Sequence, residues 1–215
     1  MATKKKILYI VEAMGGGVFT YIVDLANELV DTYDMYIAYA VRKQTPSNYK
    51  EYFDKRIHLI EVKNFARAIN ATKDIAAFFE IRKIAKEIKP DIIHLHSSKA
   101  GALGRFAFSG KRVSLFYTPH GYSFLMENYK PMKRRVFKLI ESVCAKRNCT
   151  TISCSVGEHR CTNQSTSQPI GTPTLRSASG QGERPRRKPR APDAPKIKHD
   201  KMKQFYMIDI ERKRW

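Results

Sequence analysis

The chain has 215 residues, 42% of them hydrophobic and 11% aromatic, with a formal net charge of +20. That length and apolar content can bury one sizeable core in one or two domains, which excludes a wholly disordered chain and a small disulfide-stapled toxin. No run approaches the roughly 18 apolar residues that a membrane-crossing helix needs.

Residues 7–11, ILYIV, form a short apolar run closed by Glu12 and a glycine cluster. The run is too short for a secretory leader and no small-residue cleavage site follows. It reads as a buried strand, and the protein is expected in the cytosol. Val18, Ile22, Leu25, Ala26 and Leu29 recur at helical spacing, so a helix follows Gly15, Gly16 and Gly17. Residues 35–41 and 58–62 are the second and third strands. Ile75, Phe78, Phe79, Ile81, Ile84 and Ile88 mark a helix that stops before Pro90. A fourth strand at 91–95, a helix at 98–108 and a fifth strand at 113–118 follow. Residues 134–144 form an amphipathic helix with Val136, Leu139, Ile140 and Val143 expected inward, and 150–154 is a sixth strand. Alternating strands and helices predict an α/β fold: a Rossmann-like parallel sheet with helices on both faces.

The pattern then breaks. Ser155 and Glu158 make a capping box that announces another helix. The residues beyond carry no apolar period and hold six of the ten prolines. Residues 1–158 have 26 Lys and Arg against 15 Asp and Glu, while 159–215 have 14 against 5. The chain therefore divides into a folded domain, 1–158, and a basic Pro/Ser/Arg-rich tail, 159–215, expected to be disordered. Such disagreement between local signals is unusual in natural sequences. A reading frame changed near residue 159 is the preferred explanation, ahead of a fused unrelated tail.

The cysteines at 144, 149, 154 and 161 lack the paired spacing of a zinc site. Cys144 and Cys154 read as small core residues. Four strand ends gather polar and small residues where ligands of open parallel sheets bind. Gly15, Gly16 and Gly17 open a helix, so bare amide N–H groups and the helix dipole would suit a phosphate. The glycines lack the third position of a dinucleotide fingerprint, which is Thr20. The second strand ends in Arg42 and Lys43 rather than in an acid for a ribose, and no Gly-Lys-Ser/Thr follows. His94 and His96 share one side of their strand, with His94 packed in the sheet and His96 at its rim. They lack a third metal ligand. His120, between Pro119 and Gly121, is placed to bond a sugar hydroxyl or polarise a leaving group. Lys130, Lys133, Arg134, Arg135 and Lys138 cluster on the last helix, either as a solvated face or as a membrane-facing docking surface for anionic headgroups.

The glycine loop, then HLHSSKAGALGR (94–105), then YTPHGYSF (117–124) together resemble the amino-terminal domain of retaining glycosyltransferases of the GT4 type, of the bacterial capsule and exopolysaccharide kind. The resemblance covers roughly residues 4–158 and implies one half of a GT-B fold. It implies transfer of a sugar from a nucleotide-diphosphate sugar to a lipid-linked saccharide. Gly15 to Gly17 would then lie under the donor diphosphate or beside the acceptor. His120 would contact the transferred sugar, and His96, Ser97, Ser98 and Lys99 would line the acceptor side. No metal or cofactor is required, because helix ends and basic side chains hold the phosphates. In such enzymes the second domain binds most of the donor, through a basic pair and an E-x7-E motif. Residues after 158 supply neither, so this chain alone is expected to transfer little or nothing. The expected location is cytoplasmic, with peripheral contact at the inner face of the cell membrane. The alternatives are a non-catalytic half that pairs with a separate domain, or a basic nucleic-acid-binding protein. No RNP, KH or helix-turn-helix signature supports the latter.

Overall fold

A computed structural model describes residues 3–66 and 68–154. Six parallel strands form one sheet: β1 (Lys6–Met14), β2 (Asp34–Val41), β3 (His58–Glu61), β4 (Ile92–His96), β5 (Ser114–Thr118) and β6 (Thr150–Thr151). Their order across the sheet is β3-β2-β1-β4-β5-β6. Four α-helices connect them: α1 (Gly16–Leu29), α2 (Ala71–Ile88), α3 (Ser98–Ala107) and α4 (Pro131–Ala145). Single 3-10 turns at Tyr49–Tyr52 and Ser123–Leu125 complete the described elements. The capping box at 155–158 and the tail at 159–215 lie outside the described residues.

Alternation along the central strands builds two cores. Ile7, Tyr9 and Val11 of β1 pack with α1 on one face, beside Met35, Ile37 and Phe116. Leu8 and Ile10 point the other way, to Ala77, Ile81 and Ile84 of α2 and to Leu95, Leu115 and Tyr117. Covering both faces is what turns β1 and β4 into nearly continuous apolar runs. Each fully buried Ile or Leu contributes about 1.5–3 kcal/mol.

Several boundaries differ from the sequence reading. β1 runs through Glu12 to Met14, because Met14 pairs with Val41 after an irregularity in register and Glu12 is neutralised by Arg42. α1 begins at Gly16, so two glycines lie inside its first turn. α2 begins at Ala71, where the Asn70 side chain accepts from Lys73 N at 3.0 Å and Asp74 accepts from Asn70 N at 3.1 Å. Ile75 and Phe79 of α2 are exposed, so its inner face is Ala77, Ile81, Ile84 and Ile88. β6 is only two residues long.

The largest correction concerns α4. Val136, Leu139 and Val143 face solvent, Ile140 is half-buried, and the buried residues are Glu141 and Cys144. Apolar spacing locates a stripe on a helix but not the direction in which it faces. Here the inner direction is decided by Arg105 of α3. Its guanidinium meets the Glu141 carboxylate at 2.6 Å, the Tyr117 hydroxyl donates to the same carboxylate at 2.8 Å, and Arg105 Nε donates to Gly101 O at 2.8 Å. Burial works against the Arg105 charge, but Glu141 more than offsets this and holds its pKa above the ordinary value.

α3 also sits unusually close to the sheet. A Cβ on Gly101 would lie 2.3 Å from the Tyr117 ring, and one on Gly104 would lie 2.3 Å from Leu95. What the backbone approaches at these small residues is the sheet itself.

Candidate functional site

The strand order reverses at β1 and β4, and their carboxyl ends open the crevice where ligands of such sheets bind. Three turns meet at this end: Gly15 to α1, Ser97 to α3, and Pro119 to Gly121 beyond β5. At the first, Gly15 caps α1 with its backbone alone and no acidic side chain enters the first turn. Gly16 has φ +57°, and a Cβ on Gly16 or Gly17 would meet nothing within 4 Å. The start of α1 is therefore uncrowded, with first-turn amides that lack a side-chain cap from Gly15 and the positive end of the helix dipole.

The other two turns are strained. Ser97 has φ 77° and ψ 157°, a region that is nearly glycine's alone. His120 has φ 52° and is followed by Gly121 at φ 95°. The Ser97 N–H donates to Thr118 O at 3.0 Å, which locks the two turns together. The Ser97 hydroxyl oxygen is buried without a hydrogen-bond partner. Two non-glycine residues held at positive φ on adjacent strand ends are a mark of a site maintained against conformational cost.

A stack of imidazoles fills the space beneath. His94 and His96 share one side of β4, with ring centroids 4.0 Å apart. His94 Nε2 bonds Thr118 Oγ1 at 2.8 Å. His96 Nδ1 bonds His120 Nε2 at 3.0 Å. Tyr21, one turn into α1, packs edge-on to His120 at 4.7 Å, which joins the glycine turn to the histidines. Cys154 Sγ lies 3.8 Å from His120 Nδ1. His96 is fully buried rather than at an open rim, because Tyr9, Tyr21 and His120 cover it. Cys154 is half-buried and lines the site, whereas Cys144 is in the core.

Burial lowers the pKa of all three histidines. It brings His120 to about 4 and holds His94 and His96 well below the ordinary range, with neighbouring imidazoles adding to the effect at both. The site is thus neutral at pH 7. The unfolded chain binds these protons near pH 6.5 and the folded chain does not. This contribution to stability is complete above pH 6.5 and is lost as pH falls from 6.5 toward 4. Each excluded histidine contributes up to about 1.4 kcal/mol per pH unit across that window. Urea midpoints measured from pH 8 to pH 4.5 should fall steeply below 6.5. A flat profile would contradict the neutral stack.

The remaining candidates separate into different places. Ser98 Oγ accepts from Ser123 N at 3.3 Å and so braces the loop after β5. Lys99 lies away from the glycines: its ammonium donates to Ala66 O at 2.5 Å, Ala68 O at 2.6 Å and Asp74 at 2.7 Å. It anchors the segment before α2. Lys130, at the cap of α4, and Lys133, Arg135 and Lys138 on the helix are exposed, while half-buried Arg134 donates to Phe124 O at 2.9 Å. Among the described residues, no three His, Cys, Asp or Glu side chains are grouped to hold a metal ion.

Sequence reasoning missed Tyr21, Cys154 as a partner of His120, and the Glu12–Arg42 ion pair behind the glycine turn. Thr45 completes that pair's surroundings by accepting from Arg42 N at 2.8 Å and bonding Met14 O. The one available signal was that Glu12 and Arg42 each directly follow an apolar run, where an unpaired charge is costly if buried.

The family model described as Glycosyltransferase Family 4 matches residues 15–158. An uncharacterized 41.2 kDa protein in the cps region of Klebsiella pneumoniae is 32% identical over 162 residues, covering 72% of this chain and 41% of that protein. The UDP-Gal:alpha-D-GlcNAc-diphosphoundecaprenol alpha-1,3-galactosyltransferase of Escherichia coli is 36% identical over 102 residues, covering 47% of this chain and 26% of that enzyme. The chain thus spans less than half the length of these curated relatives. A sucrose-phosphate synthase from Thermosynechococcus elongatus shares the fold, with a TM-score of 0.56 at 13% identity over 75% of this chain and 45% of that structure.

Proposed function

Since the chain belongs to glycosyltransferase family 4, we propose that its domain forms one wall of a site that transfers a sugar from a nucleotide-diphosphate sugar to a lipid-linked saccharide, in capsular or exopolysaccharide synthesis. The observation that carries this reading is the convergence at one sheet end of an open helix start, Gly15 to Gly17, with two strained turns bearing Ser97 and His120. The open amides suit a diphosphate. His120 contacts the transferred sugar as a neutral hydrogen-bond partner, and Ser97 and Ser98 face the acceptor side. No metal is needed, because amides, the helix dipole and basic side chains offset the phosphate charge. The likeness to the Escherichia coli galactosyltransferase supports the lipid-linked acceptor.

The test is an NMR titration of the 215-residue chain with a short-chain polyprenyl-diphosphate N-acetylhexosamine. The amide signals of Gly15, Gly16, Gly17, Ser97 and His120 should shift together and saturate. Shifts confined to the α4 surface, or none, would refute the site.

The reading extends to the membrane where such acceptors reside. No helix among the described residues is long and apolar enough to cross a bilayer. Met132, Val136, Leu139 and Val143 instead form an exposed stripe on α4, with Met132 78% and Leu139 65% exposed. Arg135, Lys138 and Lys133 flank the stripe, and the helix's one acid is turned inward to Arg105. An apolar stripe with a cationic border suits the surface of an anionic bilayer. Co-sedimentation with phosphatidylglycerol vesicles should fall steeply with salt, because exposed charges are screened. Leu139→Asp and the triple reversal of Lys133, Arg135 and Lys138 to Glu should each reduce it severalfold. Unchanged binding by both variants would leave α4 as a solvated face.

A further inference from the structure

His96 is fully buried, its Nδ1 is engaged by His120, and its Nε2 has no hydrogen-bond partner. Two proton arrangements satisfy the 3.0 Å contact between these neutral rings. If His120 Nε2–H donates, the single proton of His96 must sit on Nε2, an N–H donor buried with nothing to receive it. If His96 Nδ1–H donates, Nε2 of His96 carries only a lone pair, and the proton of His120 sits on Nδ1. A buried donor without an acceptor is the rarer and costlier defect. The second arrangement also gives the His120 Nδ1–H the soft acceptor Cys154 Sγ, 3.8 Å away. We infer that His96 is a positioning residue that fixes His120 as the Nδ1–H tautomer, so that His120 offers the site a hydrogen-bond donor and has no free basic nitrogen.

The consequence is specific. Nε2 of His120 is consumed as an acceptor inside the protein. Nδ1, which faces the weak and displaceable thiol contact, is the one atom left for a ligand, and it can give a hydrogen bond but not take a proton. A ligand here is recognised through an oxygen lone pair, as a sugar hydroxyl or a phosphate oxygen provides. The relevance to transfer rests on the function proposed above, whereas the tautomer itself does not.

Long-range proton–nitrogen correlation spectra of the full 215-residue chain, labelled with nitrogen-15 at its six histidines, read the tautomer directly at pH 8. His120→Ala assigns the signals. The wild-type chain should show His120 protonated at Nδ1 and bare at Nε2. His96→Phe keeps a flat ring but removes the donor, so His120 should revert to the Nε2–H form that free histidine prefers in water. His96→Asn returns an amide N–H near the Nδ1 position and should restore the Nδ1–H form. An Nε2–H tautomer in the wild-type chain overturns the inference, even if the Phe variant does not fold. So does an Nδ1–H tautomer that persists in folded His96→Phe. A confirmed tautomer with no ligand-induced shifts at His120 would sink the sugar-transfer reading and leave the role of His96 standing.

Discussion

Glu141→Ala is expected to lower the unfolding free energy by about 3–5 kcal/mol, the usual result of removing one partner of a buried ion pair. The Arg105 guanidinium would be left charged among Gly101, Tyr117 and Cys144, with one backbone carbonyl as its remaining acceptor. The Tyr117 hydroxyl, whose pKa burial and Glu141 together hold well above the ordinary value, would lose its acceptor as well. α4 packs mainly on the Ser123–Leu125 turn and on α3 rather than on the strands, so the helix should loosen before the sheet does. Urea unfolding followed by circular dichroism measures the loss. The double variant Arg105→Met, Glu141→Leu should recover most of it, since a buried pair exchanged for packed apolar groups is often neutral. A Glu141→Ala midpoint equal to wild type would show that Arg105 reaches water.

His120→Ala is expected to reduce sugar transfer about 100-fold, the scale of removing one preorganised hydrogen bond at a transition state. The residue is suited to this because its backbone is held at positive φ between Thr118 and Gly121 and its ring is clamped by His96 and Tyr21. A donor so fixed undergoes no reorganisation when charge develops on the substrate. The measurement uses residues 1–154 joined to the carboxy-terminal portion of the Escherichia coli galactosyltransferase, with UDP-galactose and a lipid-diphosphate acceptor. The graft carrying wild-type His120 serves as reference. His120→Asn, which places a donor near the Nδ1 position, should recover part of the rate. Equal turnover of the His120→Ala and reference grafts would remove His120 from the chemistry.

Much of this arrangement was legible in the residues. The order of elements follows from apolar spacing, and the candidate site is addressed by the rule that open parallel sheets bind at their carboxyl ends. Asn70 could have placed the start of α2, since it is an N-cap followed by Asp74. Two things were not legible. The facing of α4 depends on Arg105, 36 residues before Glu141, and no local pattern links them. Likewise, the resemblance implies that Lys99 lines the acceptor side. Its ammonium is instead taken up by carbonyls of a loop some thirty residues earlier in the chain. Partners distant in sequence become visible only once the chain has folded.

The place of β1 in the middle of the sheet has a consequence for biosynthesis. Its far neighbour β4 ends at His96, whereas β2 is complete at Val41. A ribosome adding about 5–20 residues per second makes that intervening stretch in roughly 3–11 s. Throughout that interval the nascent chain carries ILYIV with one hydrogen-bonding edge unpaired and apolar side chains on both sides. Such an edge invites pairing with another copy of itself. Translation speed between codons 41 and 96, and the chaperones that meet the chain there, should therefore affect the yield of soluble protein.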